Sequence, residues 1–177
     1  HTNYLWNTGD TTQTIYADTA GTYNVTVGNG TQENNNKSLD FEIGDYVEIN
    51  NYNYDFQESI TISAWVKMDG VGNGTLINRR VNNDIDFTFE LNPTSNKPYV
   101  HFDASGSITA NTSINSGEWH FITATKDEND IKIYIDGVLD AQTSSLGTIT
   151  NYTGLLRIGK YTYNNNYNDY FTGTIDE

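Results

Sequence analysis

The stretch DIDFTFEL, Asp84 to Leu91, puts Asp84, Asp86 and Glu90 on one side of an alternating segment, with Ile85, Phe87, Phe89 and Leu91 on the other. Carboxylates along one strand face are what glycosidic cleavage asks for. One acid protonates the leaving oxygen, and a second carboxylate attacks or activates water. A different chemistry lies in YTYNNNYNDY, Tyr161 to Tyr170, where four tyrosines are interleaved with four asparagines and Asp169. Aromatic platforms combined with planar polar groups hold sugar rings, so Tyr161, Tyr163, Asn165, Tyr167 and Asp169 are the expected ligand-binding set. NNYNYDF, Asn50 to Phe56, has the same composition. No Gly-x-Ser-x-Gly, His-Glu-x-x-His or phosphate-cradling glycine loop offers another reaction.

The elements that must position these residues are strands. Ile60, Ile62, Ala64, Val66 and Met68 share one face of SITISAWVKM, while Thr61, Ser63, Trp65 and Lys67 share the other. Ile131, Ile133 and Ile135 line one face of the strand that follows KDEND, and Asp136-Gly137 reads as a tight turn with a positive φ at Gly137. Trp119 is expected to anchor the core, because a large aromatic dominates buried area. His120 has no evident partner His or Cys in sequence and is expected to be packed or exposed rather than catalytic. Leu39, Phe41 and Ile43 alternate with polar residues, and Val47 and Ile49 follow the Gly44-Asp45 turn. No segment carries a capped helical period. Ten or more short strands separated by Gly, Asn and Asp turns imply an all-β chain, an antiparallel sandwich or barrel.

Composition bounds the partners. The 177 residues carry 23 acidic and 9 basic side chains, a net charge of −14. Phosphate backbones need clustered Lys and Arg, so nucleic acid is excluded, and an anionic membrane surface is disfavoured for the same reason. No apolar run approaches the ~20 residues of a spanning helix, and no membrane insertion is expected. The absence of cysteine removes disulfides and thiolate metal sites. HTNYLWNTGD has neither a basic start nor an apolar core, so the chain reads as a fragment of a longer one. Residues 1–30 read as terminal strands of a preceding repeat, the Asn-rich 31–37 as a linker, and 38–177 as the main domain.

SLDFEIGDYVEI, ITISAWVK, GEWHFITATKD, IKIYIDG, LLRIGK and FTGTIDE occur in the order found in laminin-G-like, concanavalin A-like domains, and residues 38–177 resemble that family. The resemblance implies an antiparallel β-sandwich of jelly-roll type with one further strand beyond Glu177. It implies a non-catalytic recognition module that binds glycans or a protein partner in adhesion. The alternatives are a ligand-free spacer or stalk repeat and, third, a glycoside hydrolase. Hydrolases of this fold bracket a central Asp with glutamates, whereas here Asp84 brackets Asp86 and Thr88 intervenes before Glu90, so no enzyme is expected. The resemblance also implies a structural Ca²⁺ at the sheet rim, held by Asp45 and Asp176 with Glu42 nearby. Residues 1–30 resemble the end of an Ig-like repeat of Bacteroidetes surface proteins. That implies a secreted or cell-surface location, reached in that phylum through type IX secretion.

Overall fold

The computed structural model describes residues 3–6, 25–28, 38–49, 58–70, 74–81, 84–145, 147–149, 155–163 and 167–176. The chain divides into two compact units, His1–Asn36 and Lys37–Glu177. In the first, β1 (Asn3–Trp6) and β2 (Val25–Gly28) pair antiparallel, Asn3 opposite Gly28 and Trp6 opposite Val25. The rest of residues 1–30 lies outside the described residues, as do the linker 31–37 and the aromatic segment 50–56.

The second unit runs β3 (Leu39–Phe41), β4 (Val47–Ile49), β5 (Ile60–Met68), β6 (Gly74–Val81), β7 (Asp84–Leu91), β8 (Pro98–Phe102), β9 (Gly106–Thr109), β10 (His120–Lys126), β11 (Asp130–Ile135), β12 (Val138–Ser144), β13 (Leu155–Ile158), β14 (Lys160–Tyr163), β15 (Tyr167–Tyr170) and β16 (Gly173–Asp176). They form two antiparallel six-stranded sheets and one hairpin. The first sheet has the order β12-β11-β10-β5-β16-β3, the second β4-β13-β6-β7-β8-β9, and β14 pairs with β15. This is an antiparallel sandwich, one of the two architectures that the alternation allows, and of the jelly-roll type that the resemblance implies.

Alternation decides what fills the space between the sheets. From the first sheet come Val66, Met68, Ile122, Ala124, Ile131 and Ile133; from the second, Phe87, Phe89, Leu91, Val100, Phe102 and Leu156. Removing each large side chain from water contributes about 1.5–3 kcal/mol. The hairpin between β11 and β12 turns on two residues, Asp136 (φ 53) and Gly137 (φ 80), with Ile135 opposite Val138. Two successive positive φ values give the turn whose twist matches the flanking strands.

The passage from the second sheet to the first is the tightest place in the fold. β13 is followed by Gly159, whose N–H donates to the Leu76 carbonyl at 2.9 Å, and the Phe171 N–H donates to the Gly159 carbonyl at 3.0 Å. Phe171 is fully buried and meets Phe41 edge-on at 6.2 Å between centroids. A Cβ on Gly74 would lie 2.3 Å from the Phe171 Cα, one on Gly159 2.6 Å from the Phe41 ring, and one on Gly173 2.3 Å from the Lys67 carbonyl.

Gly74→Ala therefore carries a backbone collision in addition to a left-handed φ, whereas Gly117→Ala carries only the latter, with nothing within 4 Å of its Cβ. Chemical denaturation is expected to show a loss of about 1 kcal/mol for Gly117→Ala, and at least twice that for Gly74→Ala. Equal losses would refute the packing argument.

Candidate functional site

The register of the second sheet assembles a grid of polar side chains on its outer face. Thr75, Glu90, Tyr99 and Thr109 lie in one row across β6 to β9. Glu48, Arg157, Asn78, Thr88, His101 and Ser107 lie in the next, spanning all six strands. Arg157 Nε reaches Glu48 Oε2 at 2.9 Å. The β8 burial pattern explains the division: Pro98, Val100 and Phe102 are buried, while Tyr99 and His101 are half-buried on the other side. Ser107 and Thr109 on β9 are exposed. The grid is thus covered at β6 and β7 and open towards β8 and β9.

Two of the polar residues of β7 are buried. Asp86 is fully buried and Thr88 is 4% exposed. Asp86 sits at a register shift between β6 and β7, where its Oδ2 lies 3.1 Å from Arg79 Nε. The β14–β15 hairpin is tied to β6: the Asn78 amide donates to the Lys160 carbonyl, and Arg80 donates to the Tyr161 hydroxyl, its guanidinium 4.9 Å above the Tyr161 ring. Lys160 lies over the rings of Tyr46 and Tyr170, at 4.1 and 5.4 Å.

Of the expected ligand set, Tyr161 and Asp169 are half-buried and face each other in the hairpin register. Tyr163 and Tyr167 are register partners at its far end, and Asn165 lies outside the described residues. Asp169 stands against Glu90, a residue that the sequence offers only as part of a catalytic array. Burial pushes Glu90 from 4.5 up to about 7, the Asp169 charge adding to it, and burial raises Asp169 as well. Burial also lowers His101, against the opposing pull of Asp103. Tyr99 and His101 escape sequence reading because PYVHFD looks like an ordinary strand. Only the register with Glu90 and Thr88 gives them a role.

The calcium set does not assemble as expected. Glu42 and Asp45 come together in one turn, with the Glu42 N–H donating to Asp45 Oδ2 and the Asp45 N–H to the Glu42 carbonyl, both at 3.0 Å. β16 runs antiparallel to β3, Gly173 opposite Phe41 and Ile175 opposite Leu39. Asp176 therefore lies at the far end of β3 from Glu42, about 13 Å away along the strand. Among the described residues, no three His, Asp or Glu side chains converge on one centre.

The outer face of the first sheet holds a second cluster. Trp119 precedes β10 and is 43% exposed, not an anchor of the core, because Ile122 and Ala124 take the inward positions. Trp65 is 41% exposed, packs 5.3 Å from Phe121, and shares a shallow groove of about 280 Å³ with Trp119 and Asp176. His120 is largely packed, its Nδ1 2.9 Å from Asp136 Oδ2, and Asp136 Oδ1 accepts the Phe121 N–H at 2.8 Å. Among the described residues no helix is long and apolar enough to cross a membrane.

A family model described as the concanavalin A-like lectin/glucanases superfamily, of laminin-G type, matches residues 41–177. The chain belongs to this superfamily. Members of its laminin-G-like branch are carbohydrate- or protein-binding modules, generally non-catalytic and typically found in extracellular proteins, although the fold also occurs in glycoside hydrolases. No curated protein matches the sequence. Among solved structures, mouse laminin α1 chain domains LG4-5 are similar, with 22% identity over 73% of this chain and a TM-score of 0.53. The chain spans 36% of that laminin chain. The CBM40 of Ruminococcus gnavus IT-sialidase, bound to α2,3-sialyllactose, gives 13% identity over 67% of this chain and 73% of its own, with a TM-score of 0.56. Domain 4 of the Geobacillus stearothermophilus arabinanase AbnA, in complex with arabinotriose, gives 18% over 78% and 71%, with 0.51.

The position of Glu90 in this lectin-like sandwich has a sign that stability measurements can read. Between pH 4.5 and about 7 the unfolded chain releases a proton that folded Glu90 keeps, so its contribution is fully present below 4.5 and is lost as pH rises towards 7. In metal-free buffer, the thermal midpoint of the wild type is expected to fall across this window relative to Glu90→Gln. Parallel curves for the two proteins would contradict the assignment.

Proposed function

We propose that this chain is a non-catalytic carbohydrate-recognition module that takes its ligand on the outer face of the second sheet, beside the β14–β15 hairpin. The observation that carries the reading is the register grid: Tyr99 and His101 offer half-buried rings, and Glu90, Ser107 and Thr109 stand beside them as hydrogen-bonding groups. A ring to stack on, with acceptors and hydroxyls at strand spacing, suits a saccharide. The complexes of the Ruminococcus and Geobacillus modules with sialyllactose and arabinotriose support a sugar ligand.

The carboxylates argue against hydrolysis. Asp86 is fully buried against Arg79. Glu90 and Asp169 are both raised, whereas an acid and nucleophile pair needs its two values pushed apart. The resemblance of residues 1–30 to an Ig-like repeat supports a place in a longer secreted or cell-surface protein, in adhesion. That residues 1–30 resemble repeats of Bacteroidetes proteins supports that source and type IX export. A second reading, docking of a protein, is favoured by the Trp65–Trp119 groove, since tryptophan is enriched among the residues that anchor protein interfaces.

A glycan array probed with the wild type, Tyr99→Ala, His101→Ala and Trp65→Ala separates these readings. Binding is expected to weaken by about tenfold or more in the first two variants, equivalent to about 1.4 kcal/mol, and to persist in Trp65→Ala. Loss in Trp65→Ala alone would move the ligand to the first sheet. A wild type that binds no glycan would leave protein docking or a spacer role.

A further inference from the structure

The seam between the β14–β15 hairpin and the second sheet holds oxygen atoms that no described residue pairs with. Thr75 faces Glu90 across the β6–β7 ladder, and Asn78 faces Thr88. Thr75 and Asn78 are three residues apart while Thr88 and Glu90 are two apart. The register shift between Thr75 and Ile77 absorbs the difference, and Leu76 turns into the core. The four polar side chains consequently share the outer face. Directly opposed Cβ atoms sit about 5 Å apart, and next-but-one residues about 7 Å, so the four form a patch that a single ion can bridge.

Thr75 and Asn78 are fully buried and Thr88 nearly so, yet among the described residues Thr75 Oγ1, Asn78 Oδ1 and Thr88 Oγ1 have no hydrogen-bond partner. Native structures rarely leave such atoms unmatched, and a bound ion or water is a usual reason when they do. The Asn78 side chain is aimed: its nitrogen donates to the Lys160 carbonyl in the hairpin, which sets the oxygen of the same planar group within the seam. Asp169 joins from the hairpin side: it pairs with Tyr161, which is held by Arg80 of β6 and follows the Lys160 whose carbonyl takes the Asn78 amide.

Every one of these donors is oxygen: two carboxylates, two hydroxyls and one amide. Calcium takes six to eight oxygen ligands at about 2.3–2.6 Å and accepts irregular geometry with water filling the remaining positions. Magnesium demands a near-ideal octahedron, and transition metals favour imidazole or thiolate. We propose that the seam between the hairpin and strands β6 and β7 is a calcium site, with Glu90 and Asp169 supplying charge and Thr75, Thr88 and Asn78 supplying neutral oxygens. This site is separate from the Glu42–Asp45 turn, and it stands whether or not the outer face binds sugar.

Calorimetric titration of CaCl₂ into the chelator-treated chain tests it with the metal alone. One calcium per chain is expected, with a dissociation constant of about 1 mM or tighter, as in extracellular calcium modules, and a thermal midpoint that rises with added calcium. Glu90→Gln and Asp169→Asn should each weaken binding by about tenfold or more, a loss of about 1.4 kcal/mol, while Asp45→Asn binds as the wild type does. Glu90→Gln removes a buried charge and should fold; an unchanged far-UV spectrum checks this, and Thr88→Val gives a second variant with no charge change and weakened binding. Absence of both heat and thermal shift up to about 10 mM calcium, well above that range, would overturn the proposal. So would wild-type affinity in the Glu90→Gln, Asp169→Asn double variant, or loss of binding in Asp45→Asn.

Discussion

The closure at Gly159 and Phe171 is the constraint on which the rest of this domain depends. The two sheets are joined there by a chain that leaves β13 in the second sheet, makes the β14–β15 hairpin, and enters β16 in the first. Gly74, Gly159 and Gly173 all carry positive φ, and at each a side chain would collide with backbone or with the Phe41 ring. No other residue type gives both the conformation and the space. Backbones approach this closely only because Phe171 and Phe41 fill the interior beside them. The same closure holds the hairpin against β6, beside the polar residues that β6 shares with β7.

Burial then determines the electrostatics. Glu90 and Asp169 are surface-type residues by composition, but the hairpin removes part of their water and sets them against each other. Arg79 and Asp86 answer the same problem by pairing within the structure. Asp140 shows the exposed counterpart: although burial opposes it, its carboxylate accepts the Asn111 and Thr112 N–H groups at 2.5 and 3.2 Å and is held below the usual range. One chain with a strongly negative charge thus treats its acids in three ways, according to what lies above them.

Much of this was legible in the sequence, and the remainder has a common cause. The inward faces of β5 and β11 follow from alternation alone, because each strand has one apolar side. Phe87, Phe89 and Leu91 were legible for the same reason. The burial of Asp86 was not, because it comes from the register shift that sets it against Arg79, and that of Thr88 needed its place in the ladder between Asn78 and His101. Trp119 misled because size favours burial, yet it lies just outside β10 on the Phe121 side, where Trp65 also points. The separation of Asp176 from Asp45 needed the antiparallel register of β3 and β16. Tyr99 and His101 needed the register of β8 with β7.

The place of β16 has a consequence in time. It lies between β3 and β5 and is the only strand to which β3 is paired among the described residues. As the chain is synthesised, Leu39–Phe41 must wait for Gly173–Asp176, more than 130 residues later, before its ladder can form. Pairings this distant in sequence delay folding to the millisecond-to-second range, since the loop must close before any contact rewards it. In this domain the first strand laid down is among the last to find its partner.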